Sequence, residues 1–214
     1  MTNRDLTEAH SIIPLAVLEA MRNLDSPSDE EVAEYVDELL KKRLGLSETV
    51  ATQIARYEKT VRKDRPVRAE EAEQILRLAS RRTDAALVFA DGGRRAARHA
   101  IRRLAFTTRW CARVLPRFLR RAIGFRASRR AAAEVFASSI ARDGGDTVAI
   151  VAHALPVRAT PDGAACAFFS AAFAELLRQL VEFDGAMAHS RCLARGDPRC
   201  EWRSTAGPTG GSTR

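Results

Sequence analysis

The stretch from Cys166 to Cys200 constrains the fold more than any other part of the chain. It holds three of the four cysteines and one of the four histidines. After Asp184 and Gly185, residues 187–194 and 199–205 predict the two strands of a hairpin. The first half of the stretch predicts a helix that begins near Cys166, because apolar residues recur there at helical spacing: Ala165, Phe168, Phe169, Ala172, Phe173, Leu176, Leu177 and Leu180.

The predicted hairpin brings two cysteines together. A three-residue loop at 195–197 places Cys192 directly opposite Cys200, with Cβ atoms about 4.5 to 5.5 Å apart. Two thiolates at that separation can share a zinc ion. Cys166 lies in the first turn of its predicted helix, where the helix dipole favours a thiolate. His189 has the opposite parity to Cys192 on an ideal strand, so it can join the cysteines only if the strand bends or bulges.

These four side chains predict a closed Cys₃His tetrahedron in which Zn²⁺ fastens a helix start to a hairpin. Four protein ligands leave no open position for water, so the predicted metal is structural rather than hydrolytic. The spacing is not that of a CxxC knuckle, and three unlinked free cysteines with a surface histidine fit it as well. A disulfide between Cys192 and Cys200 fits the geometry but is disfavoured in a reducing cytosol.

The chain as a whole predicts an α+β fold, with a helical N-terminal part followed by an antiparallel sheet packed against helices. Gly92 and Gly93 predict a joint between a helical region, 1–91, and an α+β domain, 94–205, and residues 206–214 predict a flexible tail. Periodicity predicts helices over 12–23, 28–43, 47–61, 69–82, 94–123 and 128–142, an extended segment at 65–67, and a strand over 147–154 that continues over 157–160.

The helices that begin at Ser28 and Ser47 have the outline of a helix-turn-helix, because only Leu44, Gly45 and Leu46 connect them. A generic helical hairpin has the same outline and is much commoner. No run approaches the roughly 20 apolar residues of a spanning helix, and the N-terminus lacks the pattern of a secretory signal. A soluble, cytoplasmic protein is therefore expected.

The net charge of +8 is concentrated in one segment. Residues 92–133 carry 13 arginines and neither a lysine nor an acidic residue. A helix here has one apolar stripe that can pack on the core, with its arginines solvated or paired with the acidic N-terminal part. The same segment could instead bind anionic lipid or a partner helix, or nucleic acid. The cations proposed for such contacts are Arg94, Arg95, Arg98, Arg102, Arg103, Arg120 and Arg121.

The motifs GAACAFFSAAFAELLRQL, from Gly163, and AHSRCLARGDPRCEWR, from Ala188, resemble the C-terminal part of the 4-vinyl reductase (V4R) domain family. The resemblance covers residues 94–205 and is clearest from Arg129 onward. It implies the fold of transport-particle small subunits and haem nitric-oxide-binding sensor domains. It also implies zinc held by cysteines matching Cys166, Cys192 and Cys200 and by a side chain matching His189. In the family's aromatic sensors that side chain is often glutamate.

The resemblance implies a pocket between helices and sheet for a small apolar or aromatic molecule. Its candidate lining residues are equally suited to a core: Phe106, Trp110, Phe118, Phe136, Phe169 and Phe173. The main hypothesis is therefore a non-enzymatic small-molecule-binding or regulatory protein with structural zinc, which could form a homodimer through its helices. One alternative is a tetrapyrrole (bacteriochlorophyll) vinyl reductase or its accessory protein, and another is a nucleic-acid or membrane-surface binder acting through residues 92–133.

Overall fold

The computed structural model describes residues 6–25, 46–104 and 116–206. Within these ranges the helices are α1 (Ile12–Asp25), α2 (Leu46–Arg62), α3 (Ala69–Ser80), α4 (Ala85–Arg103), α5 (Arg117–Phe136), α6 (Leu155–Ala159) and α7 (Cys166–Val181). The strands are β1 (Glu8–His10), β2 (Pro66–Arg68), β3 (Ser138–Asp143), β4 (Asp146–Val151), β5 (Gly185–Arg191) and β6 (Cys200–Ala206). The first helix of the proposed helix-turn-helix and its connection lie outside the described residues.

Four strands form one antiparallel sheet in the order β3-β4-β6-β5. Helix α7 packs against this sheet through strand β5, and it packs against helices α4 and α5 on its other sides. Strands β1 and β2 form a separate antiparallel pair in which Ala9 lies opposite Val67. The predicted α+β class, with a helical N-terminal part and an antiparallel sheet packed against helices, is confirmed.

The predicted joint at Gly92 and Gly93 is wrong, because α4 runs through both residues. Neither glycine interrupts the helix; instead, both lie where neighbouring backbones come close. A Cβ atom on Gly93 would be 2.9 Å from Ala171 Cβ and closer still to the Phe168 carbonyl oxygen. Glycine therefore allows α4 to contact the backbone of α7, and this pair makes the most extensive contact between described elements.

The predicted helix over 128–142 is confirmed as far as Phe136, where α5 ends, and is wrong beyond it, because strand β3 follows. Ala137 adopts a left-handed conformation with φ 45° and ends the helix. Ser138 then pairs with Val151 and Asp143 pairs with Asp146 across a hairpin. The hairpin turn contains Gly144 and Gly145, both at positive φ.

The region after β4 differs from the prediction as well. Residues 157–160 do not continue the strand, because α6 occupies Leu155–Ala159 with Pro156 in its first turn. Proline is suited to that position since its missing N–H is not needed there. The predicted helix over 94–123 is described in two pieces, α4 and the start of α5, and residues 105–115 between them lie outside the description.

One hydrophobic cluster joins α1, α4, α7 and the sheet. At its centre, the rings of Phe168, Phe169 and Phe173 on α7 meet Phe136 from α5 and Trp202 from β6. No helix in the described ranges is long and apolar enough to span a bilayer.

Candidate metal centre

A bulge in β5 places His189 on the same face of the hairpin as the cysteines. His189 pairs with Trp202 and Arg191 pairs with Glu201, so Ser190 is an extra residue on its strand. Directly opposite residues of antiparallel strands share a face, and the face alternates along each strand. His189 therefore shares the face of Trp202 and, two residues away, of Cys200. The bulge on which the predicted ligand set depended is present.

The predicted ligands come together in space. Cys166 Sγ lies 4.0 Å from Cys192 Sγ and 4.0 Å from Cys200 Sγ. One ligand atom from each of these cysteines and from His189 can be chosen so that all four lie within 4.8 Å of one another. Thiolates around tetrahedral zinc are about 3.8 Å apart when each Zn–S bond is about 2.3 Å. The four side chains thus form a cluster that could hold a metal ion.

The three cysteines of the cluster are free thiols, and all three are buried. The separation of 4.0 Å between Cys166 Sγ and each of the other two sulfur atoms is about twice the length of a disulfide bond. The described cluster is therefore a set of separate donors, as a metal site requires.

The hairpin loop is fixed by a carboxylate that sequence reasoning did not assign. The Cys192 N–H donates to Asp197 Oδ2 at 2.7 Å, and the N–H groups of Arg195 and Asp197 donate to the Cys192 carbonyl. Gly196 has φ 86°, which glycine adopts without strain. The Leu193 N–H points at Cys200 Sγ, 3.4 Å away. The Gly-Asp pair in the loop was the signal that could have identified Asp197 as a supporting residue.

A second loop brings Cys166 to the hairpin. Thr160 Oγ1 donates to the Pro156 carbonyl and accepts from the Ala165 N–H. The Cys166 N–H donates to the carbonyl of Gly163, which has φ 79°. A Cβ atom on Gly163 would lie 3.2 Å from Cys192 Sγ and 3.8 Å from Cys166 Sγ. The loop therefore packs directly over the thiols, and a larger residue at 163 would crowd Cys192 Sγ.

His189 is oriented by an aromatic neighbour and keeps an unused nitrogen. Its ring stacks on Trp202 with a centroid distance of 4.7 Å and an interplanar angle of 15°. Its Nε2 atom is buried and has no hydrogen-bond partner among the described residues. A buried polar atom without a partner costs about 1 to 3 kcal/mol. Coordination of a metal by the imidazole is one way in which the cluster removes such a cost.

The thiols of the cluster are electrostatically unequal. The hydrogen bond from the Cys166 thiol lowers the pKa of Cys200, and the His189 ring and the Leu193 N–H lower it further against the opposing effect of burial. The hydrogen bond with Cys200 and burial both raise the pKa of Cys166. The pair of Cys166 and Cys200 therefore favours a single negative charge, and a divalent cation would supply the positive charge needed to stabilise more than one thiolate.

The predicted pocket residues that the structure describes do not line one common cavity, and Phe136 borders a separate cavity with His10 and His153. Phe136, Phe169 and Phe173 are buried and pack on one another, and Phe169 and Phe173 also pack on Trp202. Phe118 is 71% exposed, so it is a surface residue rather than a pocket residue. Phe106 and Trp110 lie outside the described residues.

An open groove lies beside the metal cluster, between α4, α7 and β5. Its volume is about 660 Å³. Cys166 and His189 form part of its wall, and alanines form most of the rest. We call it the alanine groove, and its lining residues are Ala86, Phe89, Ala90, Gly163, Ala164, Cys166, Ala167, Ser170, Ala171, Ala174, Ala186, Met187 and His189.

Several of the arginines predicted as a binding surface are paired with acids. Arg95 Nε lies 2.6 Å from Asp91, and Arg98 Nε lies 3.0 Å from the buried Glu175. The other pairs are Arg94 with Asp91, Arg103 with Asp64, and Arg120 with Glu182. Within the described ranges, Arg102 and Arg121 have no ion pair. Five of the seven predicted cations therefore lie beside an acid, although Arg94 and Arg95 share the carboxylate of Asp91.

The chain matches no protein-family model, no curated protein and no solved structure. The V4R resemblance consequently stays a prediction.

Proposed function

We propose that the protein binds one structural zinc ion through Cys166, His189, Cys192 and Cys200. We further propose that it is a non-enzymatic protein that binds a small apolar molecule and acts in regulation. The observation that carries the zinc proposal is the approach of the four ligand atoms to within 4.8 Å of one another. The rest of the proposal depends on the zinc site and on the alanine groove beside it.

The donor set favours zinc in a structural role. Three thiolates and one imidazole are soft and borderline ligands that suit Zn²⁺, whereas Mg²⁺ and Ca²⁺ take oxygen ligands. Four protein ligands fill a tetrahedral shell and leave no position for a reactive water. The ion would link the first turn of α7 to the β5-β6 hairpin, two elements that are 26 residues apart along the chain from Cys166 to Cys192.

Native mass spectrometry of protein purified without a tag tests the zinc proposal. We expect about one zinc ion per chain, and less than about 0.2 ions per chain would contradict the proposal. Cys192→Ser should lose the metal, whereas Cys111→Ser, which removes the chain's one cysteine outside the ligand set, should keep it. Zinc at about 1,000 times its Kd contributes about 4 kcal/mol, so Cys192→Ser should lower the Tm by about 10 °C. A Cys192→Ser protein that melts like the parent would refute a structural role.

Binding of the neutral fluorophore N-phenylnaphthylamine tests the ligand proposal. The alanine groove is apolar and open, so the probe should gain fluorescence on binding there. Ala167→Trp fills the groove from α7 and should abolish this gain, whereas Ala51→Trp adds the same side chain to an exposed position of α2 and should not. Equal binding by both variants would exclude the groove.

Reduction of a chlorophyllide vinyl group by the purified protein, with a nicotinamide reductant supplied, would contradict the non-enzymatic part of the proposal. That result would favour the tetrapyrrole vinyl reductase alternative.

A further inference from the structure

The exposed face of α5 combines apolar and cationic side chains. Phe118 is 71% exposed and Leu119 is 40% exposed, although both are large hydrophobic residues. Arg126 and Arg129 are also exposed, and neither has an ion pair within the described ranges. We call this surface the α5 face and define it as Phe118, Leu119, Arg121, Ala122, Arg126, Arg129 and Ala133, all of which are exposed.

These residues share one side of the helix. At 100° per residue, Phe118, Ala122, Arg126, Arg129 and Ala133 fall within about 80° of one another around the helix axis. Leu119 and Arg121 flank that sector. Most buried residues of α5 lie on the other side of the helix, and the helix packs on α7 and β3. The exception is Phe136, the last residue of the helix, which is buried although it has the same angular position as Phe118. The two large apolar side chains, Phe118 and Leu119, are thus in the first turn. Arg121 lies about 4.5 Å beyond Phe118 along the axis, and Arg126 and Arg129 follow about 12 to 17 Å beyond it.

Charge on this face is not compensated by the helix itself. From Arg117 to Ala133 the helix has six arginines and no acidic residue. The nearest acid on the helix, Glu134, pairs with Arg130 at 2.7 Å, and Arg120 pairs with Glu182 from the end of α7. Among the described residues, Arg121, Arg126 and Arg129 have no acidic partner, so their positive charge is available to another molecule.

We propose that the α5 face binds an anionic lipid surface. Arginines near such a surface gain Coulomb energy from the lipid headgroups, and exposed Phe and Leu side chains gain by entering the headgroup and acyl boundary. The phosphates of a nucleic acid would pair with the arginines equally well, but a phosphate backbone offers no apolar layer that Leu119 could enter. The pairing of apolar and cationic side chains on one face favours the lipid. This binding is independent of the zinc site and of the alanine groove.

Co-sedimentation of the full-length, metal-loaded protein with vesicles tests the proposal. Binding is expected to vesicles of mixed phosphatidylglycerol and phosphatidylcholine, and not to vesicles of phosphatidylcholine alone. Each arginine near an anionic surface contributes about a five-fold increase in partitioning. The triple variant Arg121→Gln, Arg126→Gln, Arg129→Gln should thus bind about 100-fold more weakly. Phe118→Ala should weaken binding about ten-fold.

A matched triple variant controls for net charge. Arg62→Gln, Arg68→Gln and Arg81→Gln also remove three exposed arginines, from α2, β2 and the end of α3, and so bring the net charge from +8 to +5. This control should keep most of the vesicle binding, because surface charges act within a Debye length of about 8 Å. In the Phe118→Trp variant, the new indole should show a blue-shifted emission when anionic vesicles are added.

Three results would overturn the proposal. The first is a lack of binding to anionic vesicles at low salt. The second is an equal loss of binding in the two triple variants. The third is tighter binding to a DNA or RNA oligonucleotide that Phe118→Ala leaves unchanged, which would assign the face to nucleic acid. Circular dichroism and Tm of each variant should match the parent, since all the substituted side chains are exposed.

Discussion

The substitution Gly93→Ala tests whether the glycine pair in α4 serves packing rather than a joint. In the middle of a helix, alanine is better than glycine by about 1 kcal/mol, so an isolated helix would be stabilised. In this protein the new methyl group would lie 2.9 Å from Ala171 Cβ and 3.0 Å from the Ala172 backbone nitrogen. Carbon atoms in contact normally keep about 3.5 to 4.0 Å, so α4 and α7 would have to separate by about 1 Å.

The magnitude follows from the loss of contact over the whole interface. A gap of about 1 Å forfeits a quarter to a half of each dispersion contact that spans it. Overpacking of this kind costs about 3 kcal/mol. After subtraction of the helix-propensity gain, Gly93→Ala should destabilise the protein by about 2 kcal/mol, and its Tm should fall by about 4 to 8 °C.

Gly92→Ala is the matched control, because it makes the same chemical change one residue earlier in the same helix. A Cβ atom on Gly92 would lie 3.4 Å from the Ala16 carbonyl oxygen and 3.5 Å from Phe168 Cδ2, which is ordinary contact. This variant should equal the parent or be up to about 1 kcal/mol more stable. Urea unfolding of all three proteins measures the difference, and a Gly93→Ala protein as stable as Gly92→Ala would refute the packing argument.

Two further predictions concern the cluster and its surroundings. Gly163→Ala should destabilise the protein by about 1 to 2 kcal/mol, since φ is 79° there and the new methyl group would lie 3.2 Å from Cys192 Sγ. The same variant should lose zinc to a chelator faster than the parent. Unchanged zinc retention would contradict the arrangement of that loop over the thiols. Burial lowers the pKa of His153 below its ordinary value, so the native state resists protonation while the unfolded state accepts a proton. Stability from this effect is complete above the unfolded pKa of about 6.5 and is lost as the pH falls from there toward the folded pKa. When the pH is lowered from about 7.5 to about 5.5, the free energy of unfolding of the parent should therefore fall by more than that of His153→Gln. Equal losses measured by urea unfolding would show that His153 does not titrate in this way.

The sequence predicted the elements whose periodicity is unambiguous. The apolar stripe from Phe168 to Leu180 is long and regular, and the observed helix α7 begins at the predicted Cys166. The hairpin that follows was predicted from the turn residues Arg195 to Pro198. Its first strand was predicted to reach residue 194 but ends at Arg191, because Leu193–Arg195 form a 3-10 turn. Strand β1 was missed, since three residues are too few to establish a period.

The errors arose where a residue's role depends on a distant partner. Gly92 and Gly93 resemble a break in the sequence, and only the backbone of α7 makes glycine a packing requirement there. Strand β3 was predicted as helix because Phe136 and Ile140 have helical spacing, while Ser138 and Ile140 have strand spacing equally well. The residue that separates the two structures is Ala137 in a left-handed conformation, which alanine seldom adopts and which no sequence pattern indicates.

The sequence predicts that the aromatic residues of α7 are buried, but it does not decide whether they pack in a core or line a pocket. Phe169 and Phe173 have the same hydrophobicity in either role, and what decides between them is how the rings of other elements fill the space. Phe136 from α5 packs edge to face on both rings at centroid distances near 6 Å. Trp202 from β6 packs edge to face on Phe173 at 5.4 Å and lies tilted against Phe169 at 6.0 Å. The open apolar volume lies instead against the alanines of α4 and α7, which a search for aromatic lining residues passes over.

The four ligands of the metal cluster could be predicted from the sequence, because the alternation of faces along a strand limits which hairpin residues can lie on the same side. With a regular register, Cys192 would oppose Cys200, and His189 would oppose Arg203 on the other face of the sheet. One inserted residue, Ser190, corrects the parity of His189 and leaves that of Cys192 unchanged. The Ser190 hydroxyl donates to the Glu201 carbonyl at 3.0 Å, so the extra residue is held by the neighbouring strand. A sequence shows that such a bulge is required for a four-ligand site, and only the three-dimensional pairing shows that Ser190 supplies it.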